Sequence, residues 1–249
     1  MTVNKLKLND SKTEVILIRS KFDLSPPPFD SINVGSCAIE TVKSARNIGV
    51  IFDDTYSFTQ HISNTCRSIY FYLRKISRIR KYLSVQSCEK IIHAVLSAKL
   101  DYGNGLLFGL PDTRISQLQR TQNTAARIIS CTKKYSHITP ILQSLHWLPV
   151  QYRIQFKLLL ITYKAINGLA PQYITDLIPH QSSSRNLRSS GKLLLQVPKW
   201  KIQSYGSRAF SSAAPTLWKY LPMNIKTSPN VNIFKKRLKA HLYSRAFSM

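Results

Sequence analysis

The chain has 249 residues, 43% of them apolar, which suffices for one or two domains with a real core and excludes wholesale disorder. Its net charge of +25 lies far outside the range of an ordinary enzyme surface and points to a polyanionic partner, nucleic acid first. The charge is uneven: residues 113–249 hold 21 Lys/Arg against one acid, Asp176, whereas residues 1–112 hold 15 against 10. The four cysteines (Cys37, Cys66, Cys88, Cys131) form no Cys-x-x-Cys, so no zinc ribbon or redox pair is expected. His137 and His146 lie near Cys131 at spacings that match no zinc module, and no metal site is assigned there. The longest apolar run, Leu158–Ile161, is too short to span a bilayer, and no signal-peptide pattern occurs. The expectation is an intracellular protein, nuclear or cytoplasmic, with reduced thiols and no membrane partner.

In chain order, residues 1–55 read as β-rich. Val15–Ile18 is a short apolar run, Ser25-Pro26-Pro27-Pro28 breaks structure, and a hairpin is expected around Gly35-Ser36. A further strand climbs through Val50, Ile51 and Phe52 to Asp53-Asp54. From Thr59 the period becomes helical: Ile62, Cys66, Ile69, Leu73, Ile76 and Leu83 recur at steps of three, four or seven. Ser84 caps a second helix with Cys88, Ile91, Val95 and Ala98 on one face, and Gly103 and Gly105 end it. Pro111-Asp112 opens a third, carrying Ile115, Leu118, Ala125 and Ile129. Three helices joined by short links predict a compact bundle. Beyond it, Thr139-Pro140 reads as an N-cap and first turn, Val150–Ile166 as a longer helix stopped by Gly168, and Leu193–Val197 as a strand. Val231–Tyr243 is an amphipathic helix with Phe234, Leu238 and Leu242 on one side and Lys235, Lys236, Arg237 and Lys239 flanking them. The fold class expected is α+β, mainly α-helical.

Strand, Asp-Asp, strand is how many polymerases hold catalytic metals, so Asp53-Asp54 raises that possibility. Two-metal phosphoryl transfer needs carboxylates from at least two places. Upstream, only Glu14 sits at the mouth of a strand-like run, while Asp10, Asp23, Asp30 and Glu40 fall in turn-rich or mixed sequence. A turn-and-cap role for Asp53 is the reading taken. Phosphate contact is expected instead from the basic residues of the first helix and its end: Arg67, Arg74, Lys75, Arg78, Arg80 and Lys81. No acid occurs from Thr55 to Cys88 to pair with them. The loop "SSSRNLRSSGK" (182–192) places Arg185, Arg188 and Lys192 among hydroxyls, without the spacing of a P-loop; they are candidates for contact with a nucleic-acid backbone, with a mobile loop as the alternative. Trp147 and Trp218 sit in apolar company and are expected in the core. Trp200, between Lys199 and Lys201, is the candidate for stacking on a base.

These stretches also resemble a family. "NKLKLNDSKTEVILI" (4–18), "NIGVIFDDTYSFTQHI" (47–62), "LRKISRIRKYL" (73–83), "AKLDYGNGLLFGLP" (98–111) and "LQRTQNTAARII" (118–129) are similar to one region of LINE-type, non-LTR retrotransposon reverse transcriptases of the jockey-like kind. So are "HITPILQSLHWLPVQYRIQFKLLLITYKAINGLAPQYI" (137–174), "LRSSGKLLLQVPKW" (187–200) and "YGSRAFSSAAPTLWKYLP" (205–222). The resemblance covers nearly the whole chain in the family's order. It implies a palm remnant with a primer-grip-like hairpin over 1–57, a thumb-like helical bundle over 58–133 and a basic C-terminal region over 134–249.

In such enzymes the metal-binding Phe/Tyr-x-Asp-Asp precedes the "LKLNxxKTE" segment, and here only three residues precede Asn4. The resemblance therefore implies that the catalytic Asp motifs lie outside this chain. Mg2+ would serve a full-length polymerase, and no cofactor or small-molecule substrate is expected for these residues. Lys12 matches a palm lysine proposed to act on the leaving pyrophosphate, but without a nucleotide site it is expected to be a solvated side chain. The function implied is that of a non-catalytic module binding a template–primer duplex or an RNA backbone. Two alternatives remain: a decayed transposon product, or part of an active RNA-directed DNA polymerase.

Overall fold

The computed structural model describes residues 9, 12–20, 22–23, 25–35, 37–178, 195–200 and 203–247. The fold is α+β and mainly helical, with four short strands among the described residues of the first quarter and helices thereafter. The chain divides into two compact units, 1–65 and 66–249, with the boundary inside the first helix.

The first unit holds two separate antiparallel hairpins. β1 (Ser31–Val34) pairs with β2 (Cys37–Glu40) in the register Val34↔Cys37, and Gly35 turns the chain at φ +64°, as the sequence suggests. β3 (Ser44–Asn47) pairs with β4 (Val50–Asp53), Asn47 facing Val50 across a two-residue turn. Both turn residues have positive φ, Ile48 at 46° and Gly49 at 80°, the sign a type I′ hairpin turn requires. The apolar run at Val15–Ile18 forms no strand: Val15 makes one parallel bridge, to Thr41. The run links the hairpins instead, because the Val42 amide donates to the Val15 carbonyl at 2.7 Å and the Arg19 amide donates to the Asp54 carbonyl at 2.8 Å.

α1 (Thr59–Ile79) buries Ile62, Ile69, Leu73 and Ile76 of the expected stripe, with Cys66 and Leu83 only half-buried, and continues as a 3₁₀ turn over Arg80–Tyr82. Ser84 caps α2 (Val85–Leu100), its Oγ accepting from the Ser87 amide at 3.1 Å. The buried face of α2 is Cys88, Ile92, Leu96 and Leu100, not the expected Cys88, Ile91, Val95 and Ala98. Apolar residues occur on both sides of this helix, and the stripe of larger side chains turns inward while Ile91 and Ala98 face water. α3 (Asp112–Ser130) packs along α2 and buries Leu118, Thr121, Gln122, Ala125, Ala126 and Ile129. The predicted Ile115 lies at the margin of that face. α4 (Thr139–Ser144) takes Thr139 as its first helical residue, with Ile138 as the cap, so Thr139 is not the N-cap expected. Pro140 still occupies the first turn, where its missing N–H is harmless.

α5 (Val150–Ile166) is the central element of the second unit. α3, the 3₁₀ turn Asn104–Leu107, α8 (Phe210–Lys219) and α10 (Val231–Phe247) pack on it. Gly105 lies against α5, where a Cβ would make ordinary contact with Leu158 Cδ2 at 3.4 Å. Polar ties fix α3 to the start of α5. Gln119 Oε1 accepts from the Val150 amide at 2.8 Å, filling one of the helix's unsatisfied N–H groups, and Gln122 Nε2 donates to the Leu148 carbonyl at 2.9 Å. Arg153 grips Asp101 at the end of α2 through Nε (2.8 Å) and Nη2 (2.5 Å). These ties cross residue 133, so the helices expected as a separate bundle share one unit with α5.

The main core joins Leu159 and Tyr163 of α5 to Ala214 and Trp218 of α8 and Phe234, Leu238 and Leu242 of α10. Tyr163 stacks on Phe234 with ring centroids 4.1 Å apart, and its hydroxyl donates to the Ser228 carbonyl at 2.6 Å. Trp147 and Trp218 are buried, as expected. α10 extends to Phe247, four residues past the predicted end. Among the described residues the unit also holds three short helices, α6 (Gln172–Thr175), α7 (Gln203–Gly206) and α9 (Met223–Lys226). Of the predicted strand Leu193–Val197, residues 193–194 lie outside the described set; Leu195 is buried and 196–197 carry no strand. Among the described residues, no helix is long and apolar enough to cross a membrane.

Candidate nucleic-acid interface

Around α1, residues three, four and seven apart share a face. Arg67, Arg74 and Arg78 fall in one line, all exposed, opposite the buried Ile62–Ile69–Leu73–Ile76 stripe. None of the three forms an ion pair among the described residues, and no carboxylate follows for a full turn in either direction. Beside this ridge Lys75 places its Nζ 4.4 Å from the centroid of Phe71, and Lys81 stands 4.8 Å from that of Tyr82. Both lysines remain exposed. Phe71, Tyr72 and Tyr82 are exposed aromatics next to these charges, with Phe71 and Tyr72 edge to face at 5.4 Å.

Arg80 departs from the expectation. It is held in the fold: Nε donates to the Ile128 carbonyl (3.0 Å), Nη2 to that of Ile129 (2.8 Å) and Nη1 to that of Leu83 (2.8 Å). The last carbonyls of a helix lack intrahelical donors and carry the negative end of its dipole, so a guanidinium there closes the C-terminus of α3. With three of its five N–H groups engaged, Arg80 is first a structural clamp.

The clamp forms one wall of a groove of about 700 Å³ between α1 and α3. Arg120, Arg127 and Lys134 join Arg80 around it, with Tyr70 and Ser77 on the α1 side, and none of its lining residues is acidic. Arg127 Nη2 donates to the Ser136 carbonyl at 3.2 Å, while its Nε is buried without a hydrogen-bond partner among the described residues. Sequence reading passed over Arg120, Arg127 and Lys134. Their signal is present: Arg120 and Arg127 are seven apart, with Asn123 and Thr124 between them, on the face of α3 opposite its buried stripe.

Asp53 does not have the surroundings of a metal ligand. Its Oδ1 accepts from the Thr55 amide (3.2 Å), Thr55 Oγ1 (2.9 Å) and the Ser57 amide (2.7 Å), and its Oδ2 from Ser57 Oγ (3.2 Å). Partial burial pushes this carboxyl up, but hydrogen bonds from Ser57, Thr55 and the Phe58 backbone outweigh it and hold the group below 3.8. The carboxylate organises a turn in which Tyr56 and Phe58 both have positive φ, and it supports the Phe52–Tyr56–Phe58 cluster. Among the described residues, no group of three or more His, Cys, Asp or Glu side chains gathers. Among the described residues, Asp53 and Asp54 therefore meet no further carboxylate with which to hold the divalent metal pair of a polymerase.

The other expected residues are scattered. Lys12 is exposed in a turn that closes when its amide donates to the Asn9 carbonyl at 3.1 Å. Trp200 is 37% exposed and lies directly on the Cα of Gly206, where no Cβ would fit. Arg185, Arg188 and Lys192 fall outside the described residues. Comparison with protein-family models, with curated proteins and with solved structures gives no match.

Proposed function

We propose that this chain is part of a LINE-type retrotransposon reverse transcriptase and works as a non-catalytic module that holds nucleic acid by its backbone. The observation that carries the reading is the exposed, acid-free ridge Arg67–Arg74–Arg78, set opposite the buried face of α1 in a chain of net charge +25. Guanidinium groups in one line along a helix can meet phosphates of one backbone, which positions a strand without reading its bases. Lys75 and Lys81 widen the charged surface, and the exposed aromatic rings beside them add sequence-tolerant stacking. The family name in this reading rests on the sequence motifs alone. The mechanism asks for no metal or cofactor: each neutralised phosphate releases condensed counterions, and that release drives binding.

Fluorescence anisotropy with a labelled duplex and with labelled RNA tests it. The expected result is affinity that falls steeply and log-linearly between about 50 and about 200 mM salt, and that changes little when the sequence is scrambled. Binding that ignores salt, or none at the low end, would overturn the reading. In a primer-extension assay the chain is expected to incorporate nothing. Incorporation abolished by Asp53→Asn would instead establish an active polymerase.

A further inference from the structure

We infer that the groove between α1 and α3 is a phosphate-binding site, shaped for the phosphoryl groups of an unpaired strand. Four cations from three segments, Arg80, Arg120, Arg127 and Lys134, converge on one concavity whose lining, among the described residues, contains no carboxylate. Arg80 cannot swing away to relieve the repulsion, because three backbone carbonyls hold it. Arg127 is tethered to the Ser136 carbonyl and still leaves its Nε buried without an acceptor among the described residues, a desolvated donor that an anion in the groove could satisfy. On the α3 wall, Asn123 Oδ1 accepts from Gln119 Nε2 at 2.8 Å, an arrangement that leaves the Asn123 amide nitrogen as a further donor.

Three guanidinium forks and an ammonium, with a neutral amide donor between them, match the several acceptor oxygens of phosphate better than a single carboxylate. A groove of about 700 Å³ is large enough for the sugar-phosphate chain of one strand or a short polyphosphate. The groove also adjoins the ridge, since Tyr70 and Ser77 on its wall stand four before and three after Arg74 on α1. The choice of a strand over free polyphosphate rests on the function proposed above; the phosphate chemistry does not.

The test uses the full chain and the double variant Arg120→Gln/Lys134→Gln. Both of these side chains are exposed, and the variant leaves the tethered Arg80 and Arg127 in place. Two readouts are taken: anisotropy of a short labelled single-stranded oligonucleotide across a salt series, and alkylation of Cys131. Cys131 is exposed and lines the groove, and exposed Cys37 serves as the internal control in peptide mass spectrometry.

The expected result is that oligonucleotide slows Cys131 alkylation in the parent chain and not in the variant. The single-strand salt slope should shrink by about 0.7 for each cation removed, so by about 1.4. Tripolyphosphate separates the sources. If it shields Cys131 and the oligonucleotide does not, the site stands as a phosphate site but takes free polyphosphate. The proposal fails if neither anion shields Cys131 and the variant binds with the parental slope. In that case a reduced slope in an Arg67→Gln/Arg74→Gln/Arg78→Gln variant would still uphold backbone binding by the ridge.

Discussion

At Asp53 one carboxylate accepts four hydrogen bonds from Thr55 and Ser57, and the turn after β4 depends on them. Asp53→Ala leaves two backbone amides of a half-buried turn without their acceptor and is expected to cost about 1–2 kcal/mol, read by denaturant melts. The folded carboxyl lies below its ordinary value, so its contribution is fully present above pH 3.8 and is lost as pH falls through the lowered folded value. Asp53→Asn should remove that acid limb. His61 behaves oppositely in origin though not in sign. Burial pushes its pKa below 6.5, and its Nδ1 accepts from the Ile51 amide at 3.4 Å, so the neutral ring is the native form. Stability is therefore expected to fall as pH drops from 6.5 through the lowered value, because the unfolded state binds the proton first. Thermal melts at about pH 7.5 and about pH 5.5 should differ less in His61→Asn, which keeps an acceptor and cannot titrate. His241 is also pushed down, by burial and then by Arg245, and the comparison with the variant separates the two. Ile48 holds φ +46° although it is β-branched, in a turn that favours Asn or Gly. Ile48→Asn should stabilise the hairpin by about 0.5–1 kcal/mol.

Among the elements, long amphipathic helices were the most legible. α1 and α10 carry period-3.6 stripes that match the faces they bury, and α5 ends where Gly168, at φ +67°, stops it. α2 was less legible because it is apolar on two faces, and only its packing on α3 selects Ile92 and Leu96 over Ile91 and Ala98. β3 escaped notice because "SARN" has little strand character, and its pairing with β4 forms it. Arg80 shows why site residues are harder to read than cores. In sequence it is one more cation after α1; in the fold its acceptors at Ile128 and Ile129 lie 48 and 49 residues away. The groove arises from the same juxtaposition of segments distant in sequence. Arg80→Lys is accordingly not conservative: one ammonium cannot reach three carbonyls in the directions the planar fork does. It is expected to destabilise the second unit by about 1–2 kcal/mol in chemical melts, whereas Arg74→Lys on the ridge should be nearly neutral.

On the scale of the whole molecule, the core and the charge divide the work. α5, α8 and α10 bury a continuous apolar cluster, and the cations stay mostly on the outside of the helices they belong to. Composition alone suggests a polyanionic partner; only the arrangement of α1 distinguishes a directed ridge from a generally basic surface. The central claim is that Arg67, Arg74 and Arg78 contact phosphates directly. Its most direct test is the slope of log affinity against log salt for duplex binding, measured for the parent chain and for Arg67→Gln/Arg74→Gln/Arg78→Gln with equal thermal stability. Removing one phosphate-neutralising guanidinium should reduce the magnitude of the slope by about 0.9, so the triple variant is predicted to fall short of the parent by about 2.7. A triple variant that binds with the parental slope would contradict the account.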